Sequence, residues 1–402
     1  MSKKMVNRRN FMKSTLVSVT GLPLLASSVL KQEEKVEEKG GKKRKFIYRT
    51  LGKTGIRLPV ISMGGEMATD PALFRAALDS GINHLETNHI IMGGKNEEMI
   101  GEVIKGRPRD SYFITTKIGF PQNMIIGGLL PQANEEDFLK RLDISLKRLG
   151  VDYVDFLCFH NARSRQSVLH EKVLNAMGKA KKDGKVRFKG VSCHRNEPEV
   201  IQACTDSKFY DFVMTSYNFK QKHYLDVREA VSRAAQAGLG IIAFKVIGGG
   251  VFDILRPVNA SAALKWVLQD PHVHTVVPGI SSYDHINIDL AIMEDLTLTD
   301  SEKDYLQREA SLPGLYCQGC GQCVRQCVAK LPIPDLMRAY MYIYGYRKPA
   351  MAQELVVSLG LPSHVCEDCG TCPVKCSIGF DVSRKIRDVA RLRDVPSEFI
   401  TV

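Results

Sequence analysis

No apolar stretch of the 402-residue chain is long enough to cross a bilayer, so no stable membrane span is expected in the mature protein. The chain also lacks a basic domain. Its formal charge is +12, but residues 1–45 alone hold twelve Lys/Arg against four Glu, and the remainder carries only +4. That is an ordinary globular balance, and no nucleic-acid partner is expected. Cysteine is sparse over most of the length. Eleven occur, eight of them between Cys317 and Cys376. Such bunching calls for a local chemical cause. Cys158, Cys193 and Cys204 stand apart and read as small buried residues.

The N-terminus reads as an address. Asn7-Arg8-Arg9-Asn10-Phe11-Met12-Lys13 precedes an uncharged, small and apolar run over 14–30, with Ala26-Ser27-Ser28 as a plausible cleavage region. This resembles a twin-arginine export signal, and it implies a periplasmic or other extracytoplasmic destination. A membrane anchor or a basic tail is the plainer alternative. Residues 31–45 form a charged spacer with little to bury, expected to be disordered or frayed.

The clustered cysteines fall into two copies of one spacing. Cys317, Cys320, Cys323 and Cys327 are separated by two, two and three residues, and Cys366, Cys369, Cys372 and Cys376 repeat this. Bacterial ferredoxins use that spacing, with three thiolates around one four-iron, four-sulfur cubane and the fourth reaching its neighbour. By that logic Cys317, Cys320, Cys323 and Cys376 hold one [4Fe-4S] cluster, and Cys366, Cys369, Cys372 and Cys327 hold the other. Gly319, Gly321 and Gly370 suit the tight turns between them. The usual proline after the fourth cysteine is missing, and Val328 and Ser377 stand there. The spacer 328–365 reads as helical, resembling the helical kind of two-cluster ferredoxin domain. Zinc and disulfides are the competing uses of such cysteines.

Between these regions, short β-branched runs alternate with amphipathic segments. Candidate strands are 60–64, 83–86, 112–117, 153–160, 186–191, 212–215, 240–244 and 275–278. Over 135–149, Phe138, Leu142, Leu146 and Leu149 recur at helical spacing. Eight strand–helix units in about 250 residues suggest an α/β fold, a (β/α)8 barrel. Pattern alone leaves an open doubly wound sheet possible. The expected division is a signal over 1–30, a linker over 31–45, the barrel over 46–297 and a small, mainly helical cluster domain over 298–402.

Residues 46–297 resemble the aldo-keto reductases. The likeness rests on RTLGKTGIRLPVISMG, GINHLET, NEEMIGEVIKG, FITTKIG, SLKRLGVDYVDFLCFH, KGVS, SYN, IIAFKVIGGG and VVPGISS, in that order. It implies a barrel that reduces carbonyls with a nicotinamide hydride, using Tyr as general acid beside Lys, His and Asp. The Lys position matches Lys117 and the His position His160. The Asp position holds Glu86, and the Tyr position holds Ile91, followed by Met92 in place of a Gly. Ile91 has no proton to give. His89 in the same loop could supply one, or could be an ordinary loop histidine. Glu86, Lys117, His160, His194, Tyr217 and Lys245 would all lie at strand ends around the pocket, His194 and Lys245 reading more simply as caps of the barrel mouth.

The same likeness places NAD(P)H contacts at Ser192, Phe244, Gly248, Gly279 and Ser281. Phe244 keeps an aromatic face for stacking, and the 248–250 glycine run could approach a diphosphate. The basic residues that grip a 2′-phosphate are replaced by Ser281, Ser282 and His285, which disfavours NADPH. The sequence therefore points to an exported iron–sulfur oxidoreductase with a small-molecule substrate and a redox protein or quinone partner. The alternative is a non-catalytic electron carrier or binding protein built on a degenerate barrel.

Overall fold

The computed structural model describes residues 33–36, 44–123, 127–248, 258–312, 316–317, 319–367 and 369–400. The twin-arginine segment, most of the charged spacer, and Gly249 and Gly250 lie outside the described residues.

An antiparallel ribbon leads in: β1 (Glu33–Val36), β2 (Arg44–Thr50) and β3 (Arg57–Pro59). β1 corrects the expectation of an unstructured spacer, since Glu33 pairs with Ile47 and Val36 with Arg44. The physical reason is main-chain pairing: a strand edge offers N–H and C=O groups to any extended segment, whatever its side chains.

The barrel follows. Its order is β4 (Met63–Gly64), α1 (Pro71–Asp79), β5 (His84–Glu86), α2 (Lys95–Ile104), β6 (Phe113–Ile118), α3 (Glu135–Leu149) and β7 (Val154–Phe159). Then come α4 (Arg165–Val168), α5 (Glu171–Lys182), β8 (Val186–Cys193), α6 (Glu197–Ser207), β9 (Phe212–Ser216) and α7 (Tyr224–Gln236). β10 (Gly240–Phe244), α8 (Ala260–Leu268), β11 (Thr275–Val277) and α9 (Tyr283–Glu294) complete it. β4 to β11 are all parallel and neighbour one another in chain order. Bridges from Ile61 to Val276 and from Gly64 to Gly279 bring the first strand against the last. This is the (β/α)8 arrangement, and each strand falls where the β-branched runs placed it.

α3 shows why these segments are helical. Asn134 caps its start by accepting from the Glu136 N–H, and Gly150 ends it at φ 65°. Phe138, Leu142, Leu146 and Leu149 form its buried stripe, each contributing roughly 1.5–3 kcal/mol. Inside the barrel Phe156, Phe212, Met214 and Ile242 fill the centre. Gly190 on β8 is required there, because a Cβ would lie 2.4 Å from the Phe212 ring.

Beyond the barrel lie α10 (Asp300–Ser311), α11 (Gln322–Gln326), α12 (Ile333–Tyr344), α13 (Pro349–Ser358) and α14 (Val382–Ala390). The helical expectation for 328–365 is met by α12 and α13. Leu336, Met337, Ala352, Val356, Ile386 and Val389 belong to a second core, which includes Cys323 and Cys327. This region is clamped to the barrel. Asp335 accepts two 2.9 Å hydrogen bonds from Arg163 and one of 3.3 Å from Arg195, all three side chains being buried. Lys220 adds a 2.7 Å ion pair to Glu309.

Candidate active site

The strand ends open into a cavity of about 920 Å³, walled by the barrel mouth and roofed by the C-terminal helices. Glu86 ends β5, Lys117 sits near the end of β6, and His160 directly follows β7; all three line the cavity. The Lys117 ammonium pairs with Glu86 and donates to the Thr87 carbonyl at 3.0 Å. Burial lowers the Lys117 pKa to about 8. Burial, then the Lys117 charge, holds His160 well below its ordinary range, so it is neutral near pH 7. The Asn88 amide donates to its ring at 3.2 Å. A neutral imidazole and an ammonium facing one space can position and polarise a substrate oxygen.

A second group completes the floor. Lys245, in the left-handed region at φ 54°, pairs with Glu66 at 3.0 Å. Burial opposes the Lys245 charge, but Glu66 outweighs it and raises the pKa. His194 packs edge-on against Phe244, ring centres 4.5 Å apart, and burial followed by the Arg338 charge keeps it neutral. His194 and Lys245 are therefore pocket residues rather than caps at the rim.

The roof was not visible as such in the sequence. α12 presents Arg338, Met341 and Tyr342 to the cavity, and Tyr346 follows just past its end. Their spacing of three, one and four residues was a helical face awaiting a partner. Glu66 and Asn88 were missed as well, because each sits two residues beyond a strand end, in a short segment with no periodic signal.

Other expectations sort differently. Ile91 and Met92 line the cavity, so the loop expected to carry a tyrosine does reach it. His89 is not among the lining residues. Its Nδ1 lies 3.0 Å from the Lys117 carbonyl, and burial lowers its pKa to about 4, which corrects its reading as a proton source. Tyr217 is likewise corrected. Side chains alternate along an extended strand end, so Ser216 faces the cavity while Tyr217 points behind the barrel. There its hydroxyl donates to Asp270 at 3.2 Å and accepts from Arg228. Phe244, Gly279 and Ser281 line the cavity. Ser192 and Gly248 do not line it, and the Ser192 hydroxyl accepts the Asn161 N–H at 3.0 Å. Asp289, unforeseen, lines the same end with its Oδ2 unpaired, and burial raises its pKa well above the carboxylate range.

Cys317, Cys320, Cys323 and Cys376 surround a second, smaller cavity, with Ile333, Met337, Phe380 and Val382 among its walls. Cys376 thus joins three thiols of the first motif, the nearest of them, Cys323, 53 positions earlier in the chain, as the crossed ferredoxin pattern requires. Burial pushes the Cys317 thiol up to about 12, and Cys323, Cys320 and Cys376 add to the shift. Cys366 is raised to about 11 by burial and then by Cys327, Cys372 and Cys369. Four thiolates could not stay ionised together without a cationic group among them. The lining donors are thiols, which suits soft iron–sulfur chemistry. No group of three or more His, Cys, Asp or Glu side chains among the described residues is drawn closely enough together to hold a single metal ion. Cys317 lines both cavities. Its loop rests on the barrel, for a Cβ on Gly319 would lie 2.9 Å from the His194 carbonyl oxygen.

Comparison with known proteins agrees with the barrel. Residues 66–256 match the Aldo/keto reductase family. The L-glyceraldehyde 3-phosphate reductase of Escherichia coli is 25% identical over 315 residues, 63% of this chain and 90% of that protein. The L-galactose dehydrogenase of Arabidopsis thaliana is 32% identical over 162 residues, 37% of this chain and 49% of that protein. An aldo-keto reductase from Bacillus halodurans, solved in its holo form, superposes with a TM-score of 0.53 at 22% identity, covering 65% of this chain and 95% of that one.

Proposed function

Because the barrel carries an aldo/keto reductase family domain, we propose that this oxidoreductase works on a small carbonyl or alcohol and exchanges its electrons through two [4Fe-4S] clusters. The observation that carries the reading is Cys317, whose side chain belongs to the wall of the barrel cavity and of the thiol cage. Cys317, Cys320, Cys323 and Cys376 would hold one cluster, and Cys327, Cys366, Cys369 and Cys372 the other. Such clusters supply one-electron transfer at a potential tuned by their surroundings. Reducing a carbonyl to an alcohol takes two electrons and two protons, so both clusters or two successive deliveries are needed. Lys117 and His160 hold the substrate oxygen, and Glu86 orients Lys117.

The electron partner is a redox protein or a quinone. The twin-arginine-like segment around Arg8 and Arg9 supports this, since that export route moves folded, cofactor-loaded proteins to a compartment poor in free nicotinamide. Phe244, Gly279 and Ser281 leave room for NAD(P)H in the cavity, yet none of them supplies the cation that a 2′-phosphate needs.

The deciding experiment is anaerobic titration of iron-loaded protein with NADH and then NADPH. Nucleotide fluorescence reports binding, and cluster absorbance reports reduction. About eight irons per chain are expected at full loading. Iron-replete protein that binds neither nucleotide but is reduced by a quinol or ferredoxin supports the proposal in full. Bleaching by a nucleotide would assign the hydride donor instead. A protein that holds no iron under reconstitution would sink the cluster assignment.

A further inference from the structure

The cavity carries a charge that the fold leaves unbalanced. Lys117, Lys245 and Arg338 all face it. Glu86 pairs with Lys117, and Glu66 pairs with Lys245. The nearest carboxylate on the roof helix, Asp335, is already engaged by Arg163 and Arg195. Among the described residues Arg338 makes no ion pair, although it is half-buried. Arg338 lines the same cavity as Glu66, His160 and His194, and its charge acts on all three. Both histidines are neutral there and add nothing to the sum. Arg347 and Glu354 are exposed lining residues of opposite sign.

We propose that Arg338 anchors the carboxylate of the substrate, so that this enzyme acts on a small carbonyl compound bearing one carboxylate. The inference rests on the reading of the barrel cavity as a substrate site. A guanidinium presents two parallel N–H donors that match the two oxygens of a carboxylate. Asp289, the other buried carboxyl on the wall, has no partner for its Oδ2, and burial favours its neutral form. Three cations against two ionised carboxylates then leave one positive charge, which one monovalent anion balances. A phosphate dianion would leave uncompensated negative charge beside Glu66 and Glu86, at a desolvation cost. Tyr342 lies one helical turn from Arg338, and Tyr346, just past the helix end, lines the same cavity. The roof then fixes the anionic end, and Lys117 and His160 receive the carbonyl end from below.

The test uses the full chain, loaded with iron, and calorimetric titration with 2-oxobutyrate and with its uncharged amide. The acid is expected to bind at least tenfold more tightly than the amide. Arg338→Met should remove that preference, and Arg338→Lys should recover part of it. Iron content and the dithionite-reduced spectrum are measured on each variant. Equal affinity for acid and amide, tighter binding of inorganic phosphate, failure of a series of monocarboxylates from acetate to benzoate to bind, or an Arg338→Met variant that keeps the preference would each overturn the proposal. If the anion binds but no iron is held, the cluster assignment fails and the anchor stands. If iron is held and no anion binds, the anchor alone fails.

Discussion

Met92 occupies φ 53° and ψ 36°, a backbone region that suits glycine. The sequence revealed that a glycine expected at this position was gone, but not that the backbone kept its left-handed turn without it. A non-glycine residue there costs about 1–2 kcal/mol, and glycine would return about 0.5–1 of that as chain entropy. Met92→Gly is therefore expected to raise stability by roughly 0.5–1 kcal/mol in urea unfolding. A lower midpoint would show that the methionine side chain makes up the difference. His84 makes a second residue-scale prediction. It is buried between the Ser62 and Thr115 hydroxyls, and burial lowers its pKa from 6.5 to about 3. The unfolded chain then binds a proton that the folded chain refuses, so stability is full above pH 6.5 and falls as pH drops toward 3. The slope of unfolding free energy against pH over that window should lose about one proton's worth in His84→Gln. An unchanged slope would mean that His84 does not titrate differently in the two states.

At the scale of elements, the strands and the α3 stripe were legible because their periodicity is local. The docking of α12 was not. Its apolar and polar faces could be read, but which face meets the barrel depends on Asp335 meeting Arg163, 172 residues earlier in the chain. The same reason hid Arg338, Tyr342 and Tyr346, while Lys117, His160 and Glu86 were found through short motifs fixed to strand ends. Tyr217 was misplaced because a strand that ends one residue earlier or later reverses the facing of its last side chain. Asp335→Ala leaves Arg163 and Arg195 buried without their carboxylate, and a loss of about 3–5 kcal/mol is expected. Hydrogen exchange should show the protection loss concentrated in α12 and α13. A loss spread evenly through β4 to β11 would contradict the clamp.

For the whole molecule, the two cysteine motifs make a directional prediction. Cys376→Ser should remove one ligand of the cluster proposed for Cys317, Cys320 and Cys323, while Cys327→Ser should affect the other proposed cluster. Each variant is expected to lose about four irons and to keep the paramagnetic signal of the cluster it does not touch. Identical residual spectra from the two variants would rule out crossed ligation. Export has its own test: replacing Arg8 and Arg9 together by lysine should retain the protein in the cytoplasmic fraction, and unaltered fractionation would discard the twin-arginine reading.

The meeting of Cys376 with Cys317 also works as a drawstring. The stretch of chain drawn into the loop includes α12 and α13, the two helices that roof the pocket. Closing that loop restricts the chain that carries both helices, at a loop-closure cost that grows only slowly with its length. The ceiling is thus tied at two points, to the barrel through Asp335 and to its own C-terminal chain through the thiols.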